Sequence, residues 1–258
     1  MPTPQFAPPF TPAENLNTEL RQRGFAVLDP QGTMAWIDAA FSELQDIIPS
    51  WNDLMPDRYL RDGGRYRRRR HACFVVQGGE VRQVPHRPHW QPVEYNALHG
   101  GMQRWFAPVE PEVVAAPVWN RLLAALTRAG EAVRPDHPTG SPWFIEAHQF
   151  RIDTTDGIGR PTPEGAHRDG VDVVAVLLVG RHAVKGGETR VFDAAGPSGR
   201  RFTLTEPGSV LLLDDARVIH ESTPIQPLQA EGWRDTLVLT LRAGGFQGDG
   251  VDAGPVLV

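Results

Sequence analysis

The alternation of apolar and polar residues that begins near residue 143 constrains the fold most strongly. The alternating segments are WFIEAHQFRID, ETRVFD, RFTLTEPG, SVLLLDD and DTLVLTLR. Clusters of glycine, proline and aspartate separate them at intervals of about ten residues, which is typical of a β-sandwich or barrel rather than of βαβ units. The run DVVAVLLVG at residues 172–180 is apolar on both faces, as expected of a central strand that is covered on both sides.

Two segments in the first half of the chain have helical periodicity. Apolar side chains recur at helical spacing in residues 33–48, and a second apolar stripe in residues 112–133 is interrupted near its start by Pro117. Short strand candidates, GFAVLD and ACFVVQ, surround these helices. The predicted fold class is therefore mainly β with flanking helices, which pack outside a C-terminal jelly roll.

We predict a single domain over residues 1–258, because the connecting loops are too short to separate two domains. The proline-rich start lacks the features of a signal peptide, and we interpret residues 1–18 as an extended arm. Residues 244–258 are interpreted as a C-terminal tail. The sequence leaves open whether the protein is a monomer or a homodimer.

Charge and cysteine content narrow the classes of partner. The net charge is -5, so no overall basic field attracts nucleic acid or anionic lipid, and no apolar stretch predicts a membrane span. The run Arg67–Arg70 precedes a strand-like segment, so we interpret it as arginines tied into a structured segment, with a phosphate-binding patch as the alternative. The single cysteine, Cys73, excludes an internal disulfide and is interpreted as a small buried residue. A cytoplasmic location is expected.

The segment EGAHRDGVD places a histidine and an aspartate two positions apart. If the backbone is extended, His167 and Asp169 point to one face and Arg168 to the other. Imidazole and carboxylate together suit iron, zinc or manganese. The pair alone is weak evidence, because such pairs also occur as surface hydrogen bonds.

His220 is the candidate for a third ligand. It lies 51 positions (220 minus 169) beyond Asp169, and four predicted strands fit between them. A jelly roll makes neighbours of strands that are distant in sequence, so His220 can return beside the first pair. Two histidines and one carboxylate occupy one face of an octahedral ion in non-haem Fe(II) oxygenases. Asp214 or Asp215, paired with Arg217, is expected to fix the loop that carries His220.

An Fe(II) oxygenase needs two further electrons to reduce dioxygen, and decarboxylation of a 2-oxoacid can supply them. A dicarboxylate co-substrate needs a cation for its far carboxylate, and the planar fork of arginine suits this role. Arg234 begins the last predicted strand and shares its polar face with Thr236, so charge and hydroxyl can act together. Arg242 shares that face but lies about 26 Å along the strand. For Arg234, the alternative is a salt bridge to Glu231 or to a neighbouring chain.

Several sequence blocks follow one another in a specific order. They are DRYLRDGGRYRRRR, VEYNALHGGMQRWFAPVEP, EAHQFRI, GAHRDGVDVV, GGET, LLLDDARVIHESTPI and RDTLVLTLR. This set resembles the bacterial 2-oxoglutarate/Fe(II) dioxygenase family that contains L-isoleucine 4-hydroxylase. The resemblance extends from about residue 20 to residue 243.

The resemblance implies a double-stranded β-helix (jelly roll, cupin-like) core in which His167, Asp169 and His220 bind iron. It also implies that Arg234, helped by Thr236, binds the C5 carboxylate of 2-oxoglutarate, and that Fe(II), 2-oxoglutarate and O2 are required. Typical substrates of the family are free amino acids, which are hydroxylated at an unactivated C–H with succinate and CO2 as co-products. Some relatives desaturate or close rings instead. The carboxylate of Asp169 argues for oxygenation, since related halogenases have a small residue there.

The residues that contact the substrate are predicted less directly. Gln149 and Arg151 share a face of the strand before the metal motif and are expected to line the cavity. Arg168 can reach the substrate if the backbone twists, and Tyr95 and Asn96 lie in a block that is expected to form a lid. For each residue the alternative is an internal salt bridge or a structural hydrogen bond.

The residues alone leave two other classes of protein as alternatives. A cupin-like metal enzyme without an oxoacid usually gathers more histidines in one cluster, whereas the remaining histidines here are interpreted as surface or core residues: His86, His89, His148 and His182. A non-enzymatic jelly-roll module binds ligands with exposed aromatic residues on a concave face. The seven tryptophans of this chain are scattered and give no such pattern.

Overall fold

The computed structural model describes residues 6–250, so the first and last parts of the predicted arm and tail lie outside the described residues. The helices are α1 (Leu16–Arg23), α2 (Pro30–Ile37), α3 (Phe41–Ile47), α4 (Pro111–Ala115) and α5 (Pro117–Val133), with 3-10 turns at Ala13–Asn15 and Ile48–Asp53. The strands are β1 (Phe25–Leu28), β2 (Arg67–Gln77), β3 (Glu80–Gln83), β4 (Ala107–Pro108), β5 (Trp143–Asp153), β6 (Val173–His182), β7 (Val184–Gly186), β8 (Thr189–Asp193), β9 (Gly199–Phe202), β10 (Val210–Asp214), β11 (Val218–Ser222), β12 (Ile225–Pro227) and β13 (Trp233–Ala243).

The large sheet has the strand order β1-β10-β6-β13-β5-β2-β3, with β4 beside β2. A smaller sheet has the order β11-β8-β9, and β12 pairs with β7. Strands that are distant in sequence are neighbours, since β13 lies between β5 and β6. The prediction of a mainly β fold with flanking helices and a double-stranded β-helix core is confirmed.

Hydrophobic cores cover both faces of the large sheet. One core joins the sheet to the helices and includes Trp119 of α5, and the other lies between the two sheets and includes Val191 and Phe202. Alternate residues of β6 enter each core, which is why its sequence is apolar without interruption. Cys73 is buried in β2, as predicted.

Each predicted helix is divided into two. The carboxylate of Asp29 caps α2 by accepting a backbone N–H at 2.6 Å. This helix ends at Asp38, which adopts a left-handed conformation with φ 55°, so the prediction of one helix over residues 33–48 is wrong. Pro117 begins α5 rather than interrupting it, because proline disfavours helical backbone at the preceding residue, Ala116.

The N-terminal arm is shorter than predicted. Helix α1 already begins at Leu16, because Leu16 and Leu20 bury their side chains against the sheet. The described part of the tail, residues 244–250, folds back on the sheet, and the ring of Phe246 contacts that of Phe144 at a centroid distance of 5.1 Å. None of the helices within residues 6–250 has the length and apolar character that a membrane span requires.

Candidate active site

A single antiparallel bridge brings His167 and His220 together. The backbone N–H of each residue donates to the carbonyl of the other, at 3.0 and 2.9 Å, and the ring centroids lie 4.6 Å apart. The Nδ1–H of His167 donates to the carbonyl of Gly165 at 2.9 Å. Because a carbonyl can only accept, this bond places the proton on Nδ1 and leaves the lone pair of Nε2 free for a metal.

Asp169 completes this group. Its carboxylate oxygens lie 3.8 Å from Nε2 of His167 and 3.7 Å from Nε2 of His220. These separations exceed hydrogen-bond distance but fit two ligands of one ion, which at about 2.1 Å each span at most about 4.2 Å. Burial and the neighbouring His167 lower the pKa of His220 to about 3, so its imidazole is neutral, as a metal ligand must be. Although burial disfavours the charged form of His167, the carboxylates of Asp169 and Glu164 raise its pKa.

The carboxylate of Asp215 holds the loop that carries Asp169. It accepts the backbone N–H groups of residues 169, 170 and 171 at 3.0, 2.7 and 3.1 Å. Asp214, the other predicted candidate, accepts a backbone N–H within its own turn. The predicted pairing with Arg217 is wrong, because Arg217 donates to backbone carbonyls at the C-terminal end of α1.

Arg234 lies at the start of β13 with only 3% of its surface exposed. Its Nε and Nη2 atoms have no hydrogen-bond partner within residues 6–250, where it also forms no salt bridge with Glu231. Burial and the neighbouring Arg181 lower its pKa to about 10, which leaves the guanidinium charged at neutral pH. Thr236 is buried on the same face. Because a buried cation without a counter-ion is costly, this pair fits a carboxylate ligand.

One cavity is lined by Arg234 and by the metal group, which consists of His167, Asp169 and His220. Its volume is about 130 Å³, whereas a single water needs about 15 Å³, so small organic ligands can enter it. The rest of its lining includes the apolar residues Phe150, Ile152, Val171, Val176 and Val238 and the polar residues Arg67, Arg69, Gln91, Arg104 and Glu164. The three candidate metal ligands and a buried cation thus face the same cavity.

The face of β5 that lines the cavity is opposite to the predicted face. Phe150 and its alternate neighbours line the cavity, whereas Gln149 donates to Ser50 Oγ at 2.8 Å and Arg151 forms an ion pair with Asp235 at 2.6 Å. The expectation that Gln149 and Arg151 line the cavity is therefore wrong. The alternation of side chains shows that a strand has two faces, but it does not show which face points to the cavity. An assignment that is shifted by one residue exchanges the two faces.

Arg168 and Tyr95 also lie outside the cavity wall, so their expected substrate contacts are wrong. The Nε of Arg168 donates to the carbonyl of Asp215 at 2.6 Å, so Arg168 points away from the cavity that His167 and Asp169 line. The ring of Tyr95 covers Gly170, where a Cβ atom would lie 2.4 Å from the ring. Asn96, the neighbour of Tyr95, does line the cavity.

Sequence reasoning missed arginines that line the cavity. The run Arg67–Arg70 is tied into β2 as predicted, but its alternate members Arg67 and Arg69 are buried at the cavity, with 5% and 4% of their surface exposed. Arg68 and Arg70 form salt bridges on the opposite face. The sequence signal that could have identified Arg67 and Arg69 is their spacing of two positions on a strand, because alternate side chains of a strand lie on one face.

A second histidine group, His71, His89 and His148, surrounds the buried carboxylate of Glu146. One oxygen of Glu146 accepts N–H groups from His71 at 2.9 Å and from His89 at 2.7 Å. Arg69 lies 2.6 Å from Nδ1 of His148, and because a guanidinium only donates, the His148 proton must be on Nε2. Hydrogen bonds thus occupy Nε2 of His71 and Nδ1 of His89 and His148, and we assign this group a structural role at the wall of the cavity.

The comparisons with known proteins agree with this geometry. Residues 48–240 match the family model described as 2OG-Fe dioxygenase. The crystal structure of a bsmA homologue from Methylobium petroleophilum PM1 is 52% identical to this chain, with a TM-score of 0.87 over 93% of this chain and 97% of that chain. No curated protein matches the chain.

Two more distant structures share the fold. IDO from Bacillus thuringiensis has a TM-score of 0.72 at 17% identity, over 95% of this chain and 99% of that chain. The Fe(II)/α-ketoglutarate-dependent dioxygenase TqaL has a TM-score of 0.69 at 21% identity, over 92% of this chain and 88% of that chain.

The cofactors of the matched family suit the residues of the cavity. The imidazole nitrogens of His167 and His220 and the carboxylate of Asp169 lie at separations that fit one iron ion. The guanidinium of Arg234, whose Nε and Nη2 have no hydrogen-bond partner within residues 6–250, suits the far carboxylate of 2-oxoglutarate. The enzyme therefore uses Fe(II), 2-oxoglutarate and O2, which decides against a cupin-like enzyme without an oxoacid and against a non-enzymatic binding module. This chain belongs to the 2OG-Fe dioxygenase family.

Proposed function

We propose that His167, Asp169 and His220 are the ligands of the catalytic iron. The observation that carries this proposal is the convergence of three ligand atoms within 4.8 Å of one another in the cavity. When bound, iron and 2-oxoglutarate supply the activation of dioxygen. The protein holds the ligands in place through the backbone bridge between the histidines and the contact of Asp215 with the loop.

Arg234 and Thr236 bind the C5 carboxylate of 2-oxoglutarate in this proposal. The strand pairing of β13 with β6 is irregular between Asp235 and Thr236, close to the place where Arg234 meets the cavity. The unpaired Nε and Nη2 atoms of Arg234 give a carboxylate two donors in one plane.

The substrate in this proposal is a free L-amino acid or a close derivative, as in the family that contains L-isoleucine 4-hydroxylase. One oxygen atom of O2 enters an unactivated C–H bond and the other enters succinate, with CO2 as the further product. The cavity supports this substrate class, because buried charged groups of both signs share it with an apolar wall. Mass spectrometry distinguishes this outcome from the desaturation or ring closure that some relatives perform, since hydroxylation adds one oxygen atom and the alternatives remove two hydrogens.

The first test of the metal ligands is carried out under anaerobic conditions. Addition of Fe(II) and 2-oxoglutarate to the protein should give a weak visible charge-transfer band, and His167→Ala or His220→Ala should abolish it. His182→Ala is the matched control, because His182 is exposed and lies outside the cavity. Succinate formation that continues at the original rate without both ligand histidines would contradict the assignment.

Three broader predictions complete the proposal. A single domain over the whole chain, a monomeric or homodimeric state and a cytoplasmic location are consistent with a sheet that joins strands from both halves of the chain and with a single buried cysteine. A single cooperative unfolding transition in urea tests the first, size-exclusion chromatography with light scattering tests the second, and fractionation of the source cells tests the third.

A further inference from the structure

The cavity face of the large sheet carries two separate cationic positions. Arg234 of β13 is paired with Ile152 of β5, which is paired with Arg67 of β2. Opposed residues of antiparallel strands share a face, and neighbouring strands lie about 4.8 Å apart, so the two arginine backbones are about 10 Å apart. A co-substrate on Arg234 therefore leaves Arg67 for another ligand.

Arg104 lies close to Arg67 in the same cavity. Only 2% of its surface is exposed, and its Nη2 donates to Gln91 Oε1 at 2.9 Å. Within the described chain, the Nε of Arg104 and the Nη2 of Arg67 have no hydrogen-bond partner. Burial and the charge of Arg67 lower the pKa of Arg104 to about 10, so the guanidinium of Arg104 is charged at neutral pH and lies close enough to Arg67 for the two to repel each other.

Counter-charge at this end of the cavity is incomplete. Among residues 6–250, Asp57 is the only carboxylate at ion-pair distance, 2.7 Å from Arg67 and 3.8 Å from Arg69. Arg69 is fixed between the rings of Phe106 and Phe150, at 3.7 and 4.4 Å. One carboxylate at ion-pair distance therefore faces three buried guanidinium groups, while the charges of Glu146 and Glu164 act on Arg104 from farther away. An anionic group of a ligand would offset the cost of burying these guanidinium groups.

An unsatisfied carboxylate lies in the same cavity. Oε2 of Glu164 is buried and accepts no hydrogen bond from any described residue. The other oxygen of Glu164 lies 3.6 Å from Nε2 of His167, so the carboxylate is beside the metal group. It is also close enough to Arg104 for its charge to act on that residue. The cavity thus offers an anion-binding and a cation-binding position next to each other.

We propose that Arg67 and Arg104 bind the carboxylate of the substrate and that Glu164 binds its ammonium group. The enzyme then recognises free α-amino acids by the two charges of the head group, and the side chain lies against the apolar wall that includes Val171 and Val176. This inference rests on the proposed dioxygenase function and adds the residues that select the substrate. Amides and N-acyl amino acids lack one of the two charges, residues within a peptide lack both, and all of these compounds are rejected.

The experiment compares the twenty standard L-amino acids with their primary amides and N-acetyl derivatives, with succinate formation as the readout. At least one free amino acid is expected to stimulate turnover by the unaltered enzyme, and amidation or N-acetylation should lower kcat/KM by about 100-fold or more. Arg67→Gln and Arg104→Gln should lose the preference for acid over amide. Glu164→Gln should lose the preference for free amine over N-acetyl. Equal turnover of the free and blocked compounds by the unaltered enzyme would overturn the proposal.

Two further measurements keep the result interpretable. Arg68→Gln is the matched control, because Arg68 adjoins Arg67 in sequence but lies on the opposite face of β2. If Arg104→Gln does not fold, Arg104→Lys replaces it and should raise KM about 10-fold for the acid but not for the amide. An unchanged ratio overturns the proposal.

The charge-transfer band separates this proposal from the dioxygenase function on which it rests. If the unaltered enzyme forms no band with Fe(II) and 2-oxoglutarate, the proposed function fails, and the head-group assignment fails with it. If the band forms but no free amino acid stimulates succinate formation, the head-group assignment alone is overturned.

Discussion

Asp215 accepts the backbone N–H of Asp169 at 3.0 Å, and its carboxylate also accepts those of the next two residues. Asp215→Asn replaces one acceptor oxygen by an amino group that faces N–H donors, so the loop loses its anchor. We expect the affinity for Fe(II) or Co(II) to fall about 10- to 100-fold, measured by anaerobic titration. Asp214→Asn is the control, because among residues 6–250 the carboxylate of Asp214 accepts only a backbone N–H of its own turn. Undiminished affinity in Asp215→Asn would show that the loop does not depend on this contact.

Gly170 has φ +75° and lies under the ring of Tyr95, so Gly170→Ala introduces both backbone strain and a clash. We expect the free energy of unfolding to fall by about 2–4 kcal/mol, measured by urea denaturation. Gly165→Ala separates the two causes, because Gly165 has φ +82° but no atom within 4 Å of an added Cβ. Combining Gly170→Ala with Tyr95→Ala should recover part of the loss, and a strictly additive double variant would exclude the clash.

Arg234 is a buried cation without a counter-ion among the described residues, so its removal should have opposite effects on stability and binding. Arg234→Met is expected to raise the melting temperature of the ligand-free protein and to weaken 2-oxoglutarate binding about 100-fold. Thermal melts with metal and increasing 2-oxoglutarate measure both effects, since a ligand that binds the folded state raises Tm. Arg242→Met, on the same strand but outside the cavity, should bind 2-oxoglutarate normally. A destabilised Arg234→Met variant that retains affinity would refute this role.

The histidines around Glu146 should make stability depend on pH. Burial above all lowers the pKa of His89 to about 3, and burial also lowers those of His71 and His148, from the ordinary value of 6.5. Below pH 6.5 the unfolded chain therefore binds protons that the folded protein does not bind. The free energy of unfolding should fall as the pH drops from 6.5 towards 4, by up to about 1.4 kcal/mol per pH unit for each histidine.

Urea denaturation of the metal-free protein between pH 7.5 and 5 measures this slope. His89→Asn keeps an N–H near the position that donates to Glu146 but removes one titrating group, so its slope should be smaller by about one proton. His182→Asn, at an exposed histidine, should retain the slope of the unaltered protein. An equal slope in His89→Asn would show that His89 titrates in the folded state as it does in the unfolded chain.

The residues of the metal group were predictable because their chemistry depends on residue type and on local spacing. His167 and Asp169 share a face of any extended segment, and the β rhythm implied a fold that returns His220 to them. Arg234 and Thr236 followed from the same reasoning, since their strand has one leucine face and one polar face. The structure brings these five residues to one cavity.

The choice of face on β5 and β2 was not predictable in this way. One face of the large sheet packs against the helices, and the other face points to the second core and the cavity. Side chains on both faces are therefore buried, so burial did not distinguish Gln149 from its neighbour Phe150. Alternation along β2 places Arg68 on the face opposite to Arg67 and Arg69, but nothing local indicates which of the two faces becomes the wall of the cavity.

The sequence by itself determined the class of fold and the candidates for the metal ligands and for the cation that binds a dicarboxylate, because alternation and side-chain chemistry are properties of short segments. Only the tertiary structure decided which strand faces line the cavity, that Asp215 rather than Asp214 anchors the loop that carries Asp169, and that three buried arginines and Glu164 face the cavity. These features depend on the packing of segments that are distant in sequence, and the alternation within one strand cannot specify which of its faces becomes the inside.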